Sequence, residues 1–231
     1  MNFDNIESMP LIIDVGMNNG RDSLFYLQKG FRVVAIEANP ALADAGRELM
    51  ASYVESGQLV IEDVGLGVDA GEMIFFVNID NDHWSSFNRE WGTRNGTRYY
   101  EIPVQCVTPQ SIFEKYGMPY YLKIDIEGSD ITVVRALSSF MDRPRYISIE
   151  ENQTSYFAEL WAAGFKHFKL VNQRSLSEVK CPYPPLEGKY VDAAFDGTTS
   201  GPFGEEAPGT WVSLDIALEL YLTEIRSPSR G

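Results

Sequence analysis

Short apolar runs separated by polar and glycine-containing stretches organise the first half of the chain. LIIDV (11–15), RVVAIE (32–37) and QLVIED (58–63) are too short for helices and rich in β-branched residues, so they predict buried strands. Between them, RDSLFYLQKG (21–30) has helical spacing and closes at Gly30. NPALADAGRELMASYVES (39–56) predicts a second helix with Pro40 in its first turn. A βαβαβ alternation with short connections requires a parallel sheet covered by helices.

The rhythm then changes. GEMIFFVNI (71–79) and YYEIPVQCV (99–107) read as the two strands of an antiparallel hairpin, an insertion of about 71–107 whose polar, aromatic connection is 80–98. Helix–strand units resume with TPQSIFEKYG (108–117), YYLKIDI (120–126), a helix from about Ser129 to Phe140, RYISIE (145–150), a helix from about Gln153 to Ala163, and KHFKLV (166–171) as a late strand. Segment 172–210 is rich in Pro and Gly and reads as a long loop, with KYVDAAF inside it a strand of unassigned place. A connection of that length is expected to be a lid or binding loop. WVSLDIALELYL predicts a closing helix over roughly 211–225. The expectation is one α/β domain over 1–231.

YYLKIDIEGSD (120–130) is the segment that strains this scheme. Leu122, Ile124 and Ile126 lie on one face of an extended chain, and Lys123, Asp125 and Glu127 on the other. Such alternation marks a half-solvated strand, yet its place in the βα series is the middle of a sheet. A carboxyl end that opens on a ligand cleft reconciles the two, because ligands of open α/β sheets bind outside the carboxyl ends of the strands. Lys123 and Asp125 then pair, Glu127 favours the positive terminus of the following helix, and Ser129 or Gly128 caps it.

Charge narrows the partners. With 19 Lys+Arg against 33 Asp+Glu, a formal charge of −14, no nucleic-acid partner is expected. No run approaches a membrane span, the opening MNFDNIESMP lacks the basic and apolar regions of a secretory signal, and Cys106 and Cys181 lack metal-ligand spacing. These features predict a cytoplasmic protein with free thiols; oligomeric state is not readable.

DVGMNNG (14–20) follows the first strand and opens the first helix. Gly16 and Gly20 permit backbone angles closed to other residues, and Glu37 at the end of the second strand is suited to accept hydrogen bonds from ribose hydroxyls. A ligand-free turn and a dinucleotide site are alternatives, but the latter prefers G-x-G-x-x-G. Asp14 two residues before Gly16, then Gly16-x-Asn18-x-Gly20, suits a cationic sulfonium with an amino-acid tail better than a pyrophosphate.

IIDVGMNNGRDS (12–23), VVAIEANP (33–40), YLKIDIEGSD (121–130) and YISIEEN (146–152) together resemble the FkbM-type methyltransferases, from about residue 10 to 171, and KIDIEG is the most specific element. SGPFGEE (200–206), followed by Trp211, is also similar to bacterial members. The resemblance implies a Rossmann-like class I methyltransferase fold and methyl transfer from S-adenosylmethionine, usually to a hydroxyl of a sugar or other small metabolite. By position it sets Asp14, Gly16, Asn18 and Gly20 around the methionine and ribose parts, Glu37 on the ribose, Ala38, Asn39, Asp63 and Val64 beside the adenine, and Asp125 where the methyl should point. Asn18 departs mildly from the commoner glycine.

A hydroxyl acceptor must lose a proton, so a base or a pKa-lowering metal is expected. His83, between Asp82 and Trp84 in the insertion, is one candidate base; Asp125 and Glu150, at successive strand ends, are the others. Asp125, Glu151 and Asn152 are candidate ligands for Mg²⁺, similar to the arrangement in catechol-type methyltransferases. His167 reads as structural. Arg89, Arg94 and Arg98, with Trp84, Trp91, Tyr99 and Tyr100, form either a recognition segment for a sugar or anionic metabolite or a solvated loop over packed aromatic rings. A nucleoside-binding module without catalysis and an NAD-dependent oxidoreductase are the competing functions.

Overall fold

The computed structural model describes residues 6–150 and 153–225, and the chain divides into two compact units, Met1–Glu150 and Glu151–Gly231. In the first unit the order is β1 (Leu11–Val15), α1 (Arg21–Gln28), β2 (Arg32–Ile36), α2 (Pro40–Leu49), α3 (Ala51–Ser56), β3 (Leu59–Glu62), β4 (Gly65–Leu66), β5 (Gly71–Asn78), α4 (Arg89–Gly92), β6 (Tyr99–Val107), α5 (Pro109–Tyr116), β7 (Tyr121–Ile124), α6 (Asp130–Ala136) and β8 (Tyr146–Ile149).

Five of these strands form a parallel sheet in the order β3-β2-β1-β7-β8, flanked by helices, a Rossmann-like arrangement. Val15 stands beside Ile36 on one side and Ile124 on the other. All five residues of β1 and all four of β7 are buried, as central strands covered on both faces must be. The charged alternation in β7 is therefore no sign of an edge. Lys123 is only 3% exposed, and its charge is met inside the fold.

The hairpin forms as expected. β5 and β6 pair antiparallel from Gly71↔Cys106 to Asn78↔Tyr99, with β4 on the other side of β6. Phe75, Val77 and Val104 make a small apolar core for this second sheet, against which Ala38, Phe87 and Ile102 pack.

Two helical expectations are modified. The helix expected over 39–56 divides at Met50, which leaves helical geometry (φ −114°, ψ 29°) and is buried. The regular ladder is interrupted there while an apolar side chain goes inside, a trade expected where tertiary burial outweighs local propensity. The helix expected from Ser129 to Phe140 ends at Ala136 and tightens into a 3₁₀ turn over Leu137–Ser139.

In the second unit, α7 (Ser155–Ala162) and α8 (Leu214–Leu220) are helical, and α8 continues as a wider turn over Tyr221–Ile225. The strand expected at 166–171 is absent; only Phe168 forms a bridge, with Val212. Lys169 turns out of any ladder to donate to the carbonyls of Gly204 and Ala207, with its ammonium 4.7 Å from the Trp211 ring. KYVDAAF forms no strand. Segment 172–210 is braced by its own carboxylates: Glu206 accepts from the amides of Leu186 and Glu187, and Glu187 from that of Glu205. Among the described residues, no helix is long and apolar enough to cross a membrane.

Candidate active site

Strands are added in one direction from β1 to β3 and in the other from β1 through β7 to β8, so the order reverses at the β1/β7 junction. The crevice outside the carboxyl ends at such a reversal is where open α/β sheets bind ligands. Three chain segments leave the sheet there: the turn after β1, the end of β2 and the turn after β7.

The turn after β1 is tightly determined. Gly16 has φ +85°, and a Cβ on it would stand 1.9 Å from the carbonyl oxygen of Asp125, so the two turns touch through backbone and only glycine fits. Asn18 is left-handed at φ 49°, a conformation that asparagine tolerates better than most residues, so it serves this turn without a glycine.

Every amide from Gly16 to Arg21 is already spent. Gly16 and Met17 donate to the Ile36 carbonyl (3.0 and 3.1 Å), and Gly20 to that of Met17 (3.1 Å). Asn18 donates to Glu37 Oε2 (2.8 Å), Asn19 to Asn18 Oδ1 (2.7 Å) and Arg21 to Asn19 Oδ1 (3.0 Å). A pyrophosphate cradle needs such amides pointing at the ligand; this turn has turned them inward.

Glu37 is buried and joins two segments. Its Oε2 takes the Asn18 amide, and its Oε1 takes that of Asn39 at 2.8 Å. Burial raises its carboxyl above the ordinary range, against the lowering effect of those amides and of Lys123. A carboxylate has about four acceptor positions, so two amides leave room for ligand hydroxyls. Asn39 caps α2 through Oδ1, which accepts from the Ala41 amide at 3.1 Å, and Ala38 rests on the apolar cluster of the hairpin sheet. Val64 is half-buried, and the exposed Asp63 pairs with Arg47 at 3.4 Å.

Beneath the two turns lies a buried charge network. Lys123 Nζ is 2.6 Å from the Gly16 carbonyl oxygen, 3.1 Å from Asp14 Oδ1 and 4.0 Å from Asp125 Oδ2. Asp14 is wholly buried, and its Oδ2 accepts from Ser23 Oγ at 2.6 Å. Burial pulls the Lys123 pKa down, but Asp14, Asp125 and Asp22 prevail and raise it. The expected Lys123–Asp125 pair thus exists as the longer arm of a bridge whose shorter arm holds Asp14. The partnership with Asp14 was missed because it joins residues on neighbouring strands far apart in sequence.

The turn after β7 gathers carboxylates. Glu150 is pushed up to about 7 by partial burial, by the negative charges of Asp125, Glu127 and Asp130, and by a hydrogen bond shared with Asp125. Glu150 itself keeps solvent contact at the end of β8, beside these carboxylates. A carboxyl poised near neutrality, with a partner to share its proton, is equipped for general acid–base work.

Asp130, not Ser129 or Gly128, secures this turn: its carboxylate accepts from the amides of Ile126 (3.0 Å) and Gly128 (3.1 Å), while Ser129 makes no capping bond. Glu127 does not serve the helix terminus either; it is held by Arg94.

His83 lies on a 3₁₀ turn of the insertion (Asp82–Trp84), with Nε2 3.8 Å from Asp82, and it is not brought to the Asp125–Glu150 pair by any hydrogen bond or ion pair among the described residues. The three arginines each have internal partners. Arg98 pairs with Asp80, Arg89 donates to the Tyr99 hydroxyl, and Arg94 forms a two-pronged bridge to Glu127 between the rings of Trp84 and Trp91. Among the described residues no group of three or more His, Cys, Asp or Glu side chains could hold a metal ion. Of the expected Mg²⁺ ligands only Asp125 is among the described residues; Glu151 and Asn152 lie outside them.

A protein-family model, Methyltransferase FkbM domain, matches residues 14–175, which take in the glycine turn, the hairpin and both carboxylate-bearing strand ends. Among solved structures, the crystal structure of Methyltransferase FkbM from Methylobacillus flagellatus KT is similar at 18% identity and a TM-score of 0.36. The match covers 57% of this chain and 30% of that one, so the chain spans under a third of that protein's length. No curated protein matches.

Proposed function

This chain belongs to the methyltransferase FkbM domain family, and from that premise we propose that it uses S-adenosylmethionine to methylate a hydroxyl of a small metabolite or sugar. The observation that carries the choice of cofactor is the spent amides of residues 16–21. They favour a ligand recognised by carboxylates over one recognised by main-chain N–H groups, and so argue against a nicotinamide dinucleotide.

The residues fit the group. Glu37 keeps lone pairs that would take a ribose diol, and Ala38 on its apolar cluster and Asn39 would border the adenine, with Asp63 and Val64 following. The turn of Gly16, Asn18 and Gly20 would lie along the methionine part, while Asp14, wholly buried against Lys123 and Ser23, would support that turn from beneath. Carboxylates at Asp125 and Glu150 suit a positive sulfonium. When bound, the cofactor supplies an electrophilic methyl whose bond to sulfur breaks as the bond to the acceptor oxygen forms.

The protein's own work is to hold the acceptor in line, exclude water and take the hydroxyl proton. We assign that last task to Glu150, whose carboxyl is raised by burial and by the neighbouring charges of Asp125, Glu127 and Asp130, with Asp125 beside it, in preference to His83, which stands with Asp82. The reading needs no metal.

Thermal shift of the full chain with S-adenosylmethionine, S-adenosylhomocysteine and NAD tests it. Stabilisation by the first two and none by NAD is expected. A shift with NAD alone would overturn the assignment.

A further inference from the structure

The turn after β7 contains a conformation that its own residues do not favour. Glu127 has φ 48°, and the next residue, Gly128, has φ 96°. Glycine adopts such angles freely, whereas a glutamate there is strained. Asp130 holds the flanking amides of Ile126 and Gly128 from within the segment, but Glu127 itself is held from outside, by three residues of the insertion.

Arg94 donates from both guanidinium nitrogens to the two carboxylate oxygens of Glu127, at 2.8 and 3.1 Å. Its guanidinium lies 4.5 Å from the Trp84 ring centroid and 5.2 Å from that of Trp91. Stacking restricts the guanidinium before it binds, so the two-pronged bridge costs little further ordering. Ser86, which is buried, donates from Oγ to the Glu127 carbonyl at 2.8 Å. Trp91 covers Gly128, where an added Cβ would touch its ring at 3.5 Å. Both charged side chains of the bridge are largely withdrawn from solvent, at 23% and 15% exposure, so the pair is screened less than a surface bridge.

We propose that Arg94 is a positioning residue: acting through Glu127, it clamps the turn after β7 in the conformation that sets the Asp125 main chain against Gly16. The role of that turn in catalysis rests on the methyltransferase reading; the clamp itself does not. The insertion is on this account the outer jaw of the site, and its tryptophans serve to orient an arginine.

Two measurements on the full chain test this. Hydrogen–deuterium exchange of the unliganded protein is read over residues 121–131, and S-adenosylhomocysteine is titrated calorimetrically. Arg94→Met should speed exchange of the turn by about tenfold or more, the equivalent of losing one charge-assisted hydrogen bond. It should also weaken S-adenosylhomocysteine binding, with exchange in β2 and β3 unchanged. Arg94→Lys, which keeps the charge and loses the planar fork, should fall between, and it carries the test if Arg94→Met does not fold. In a Glu127→Gly background, where the turn no longer needs a side chain to hold a positive φ, Arg94→Met should add almost nothing.

Unchanged exchange in the turn, an increase spread equally over the sheet, or an undiminished effect of Arg94→Met in the Glu127→Gly background would each overturn the proposal. If the wild-type chain binds no S-adenosylhomocysteine while exchange behaves as described, the clamp stands and the cofactor reading falls.

Discussion

The turns after β1 and after β7 meet at one contact, between Gly16 and the Asp125 carbonyl, yet they are held by opposite means. The first is nearly self-contained. Its amides end on its own side chains, on its own carbonyls or on Ile36 and Glu37 of the neighbouring strand, and its unusual angles fall on glycine and asparagine. The second has a local anchor in Asp130 but places a left-handed angle on a glutamate, and that residue is held by Arg94, Ser86 and Trp91 from an insertion remote in sequence. A turn built from local chemistry presents a constant surface. One built from distant side chains answers to changes in the insertion as well as in its own residues.

The change that should break both turns at once is Lys123→Met, since Lys123 touches Gly16, Asp14 and Asp125. It strands the wholly buried Asp14 without a counter-charge, and a loss of about 3–5 kcal/mol is expected in urea denaturation. A loss below about 1 kcal/mol would mean that water reaches the network. Gly16→Ala attacks their contact: the new Cβ meets a backbone oxygen that cannot move cheaply, and the φ is hostile to alanine. About 3 kcal/mol of stability should go, together with S-adenosylhomocysteine binding.

Asn39→Ala should affect the cofactor side alone, by removing the cap of α2, at about 1 kcal/mol with exchange over 125–130 unaltered. The mildest probe acts on the second turn only. Glu150 holds a proton up to about pH 7 when folded and loses it at a lower pH when unfolded. Its contribution to stability is therefore greatest at acid pH and declines as pH rises through that window. Glu150→Gln should flatten this decline between about pH 4.5 and 7; an unchanged pH slope would remove Glu150 as its source.

The same contrast explains what was legible in the sequence. The strands β1 to β3 and the hairpin could be read from short runs, because their pattern is written in adjacent residues, and the motifs that carry Asp14, Gly16, Glu37 and Asp125 do come together at the strand ends. The break at Met50 could not, since it answers to burial in the folded core. The absent strand at 166–171 shows the same limit: the alternation was real, but Lys169 found carbonyls around Gly204 instead of a neighbouring strand. In the sequence Arg94 is one of three arginines beside aromatic rings, suited either to a recognition segment or to a solvated loop, and neither reading points it at β7. Its partner, Glu127, lies in a different motif, and no spacing rule connects them. The four charges in YYLKIDIEGSD likewise divide their work: Lys123 bridges Asp14 and Asp125, Glu127 goes to Arg94, and Asp130 holds the turn's own amides.

The central claim is that the spent-amide turn and Glu37 together hold S-adenosylmethionine. Calorimetric titration of the full chain with S-adenosylhomocysteine, beside Glu37→Ala and with NAD as the control ligand, tests it most directly. The account predicts one site per chain, affinity reduced by about a hundredfold in Glu37→Ala through loss of two hydrogen bonds to a charged acceptor, and no heat from NAD. Equal affinity in wild type and Glu37→Ala, or binding of NAD instead, would contradict it.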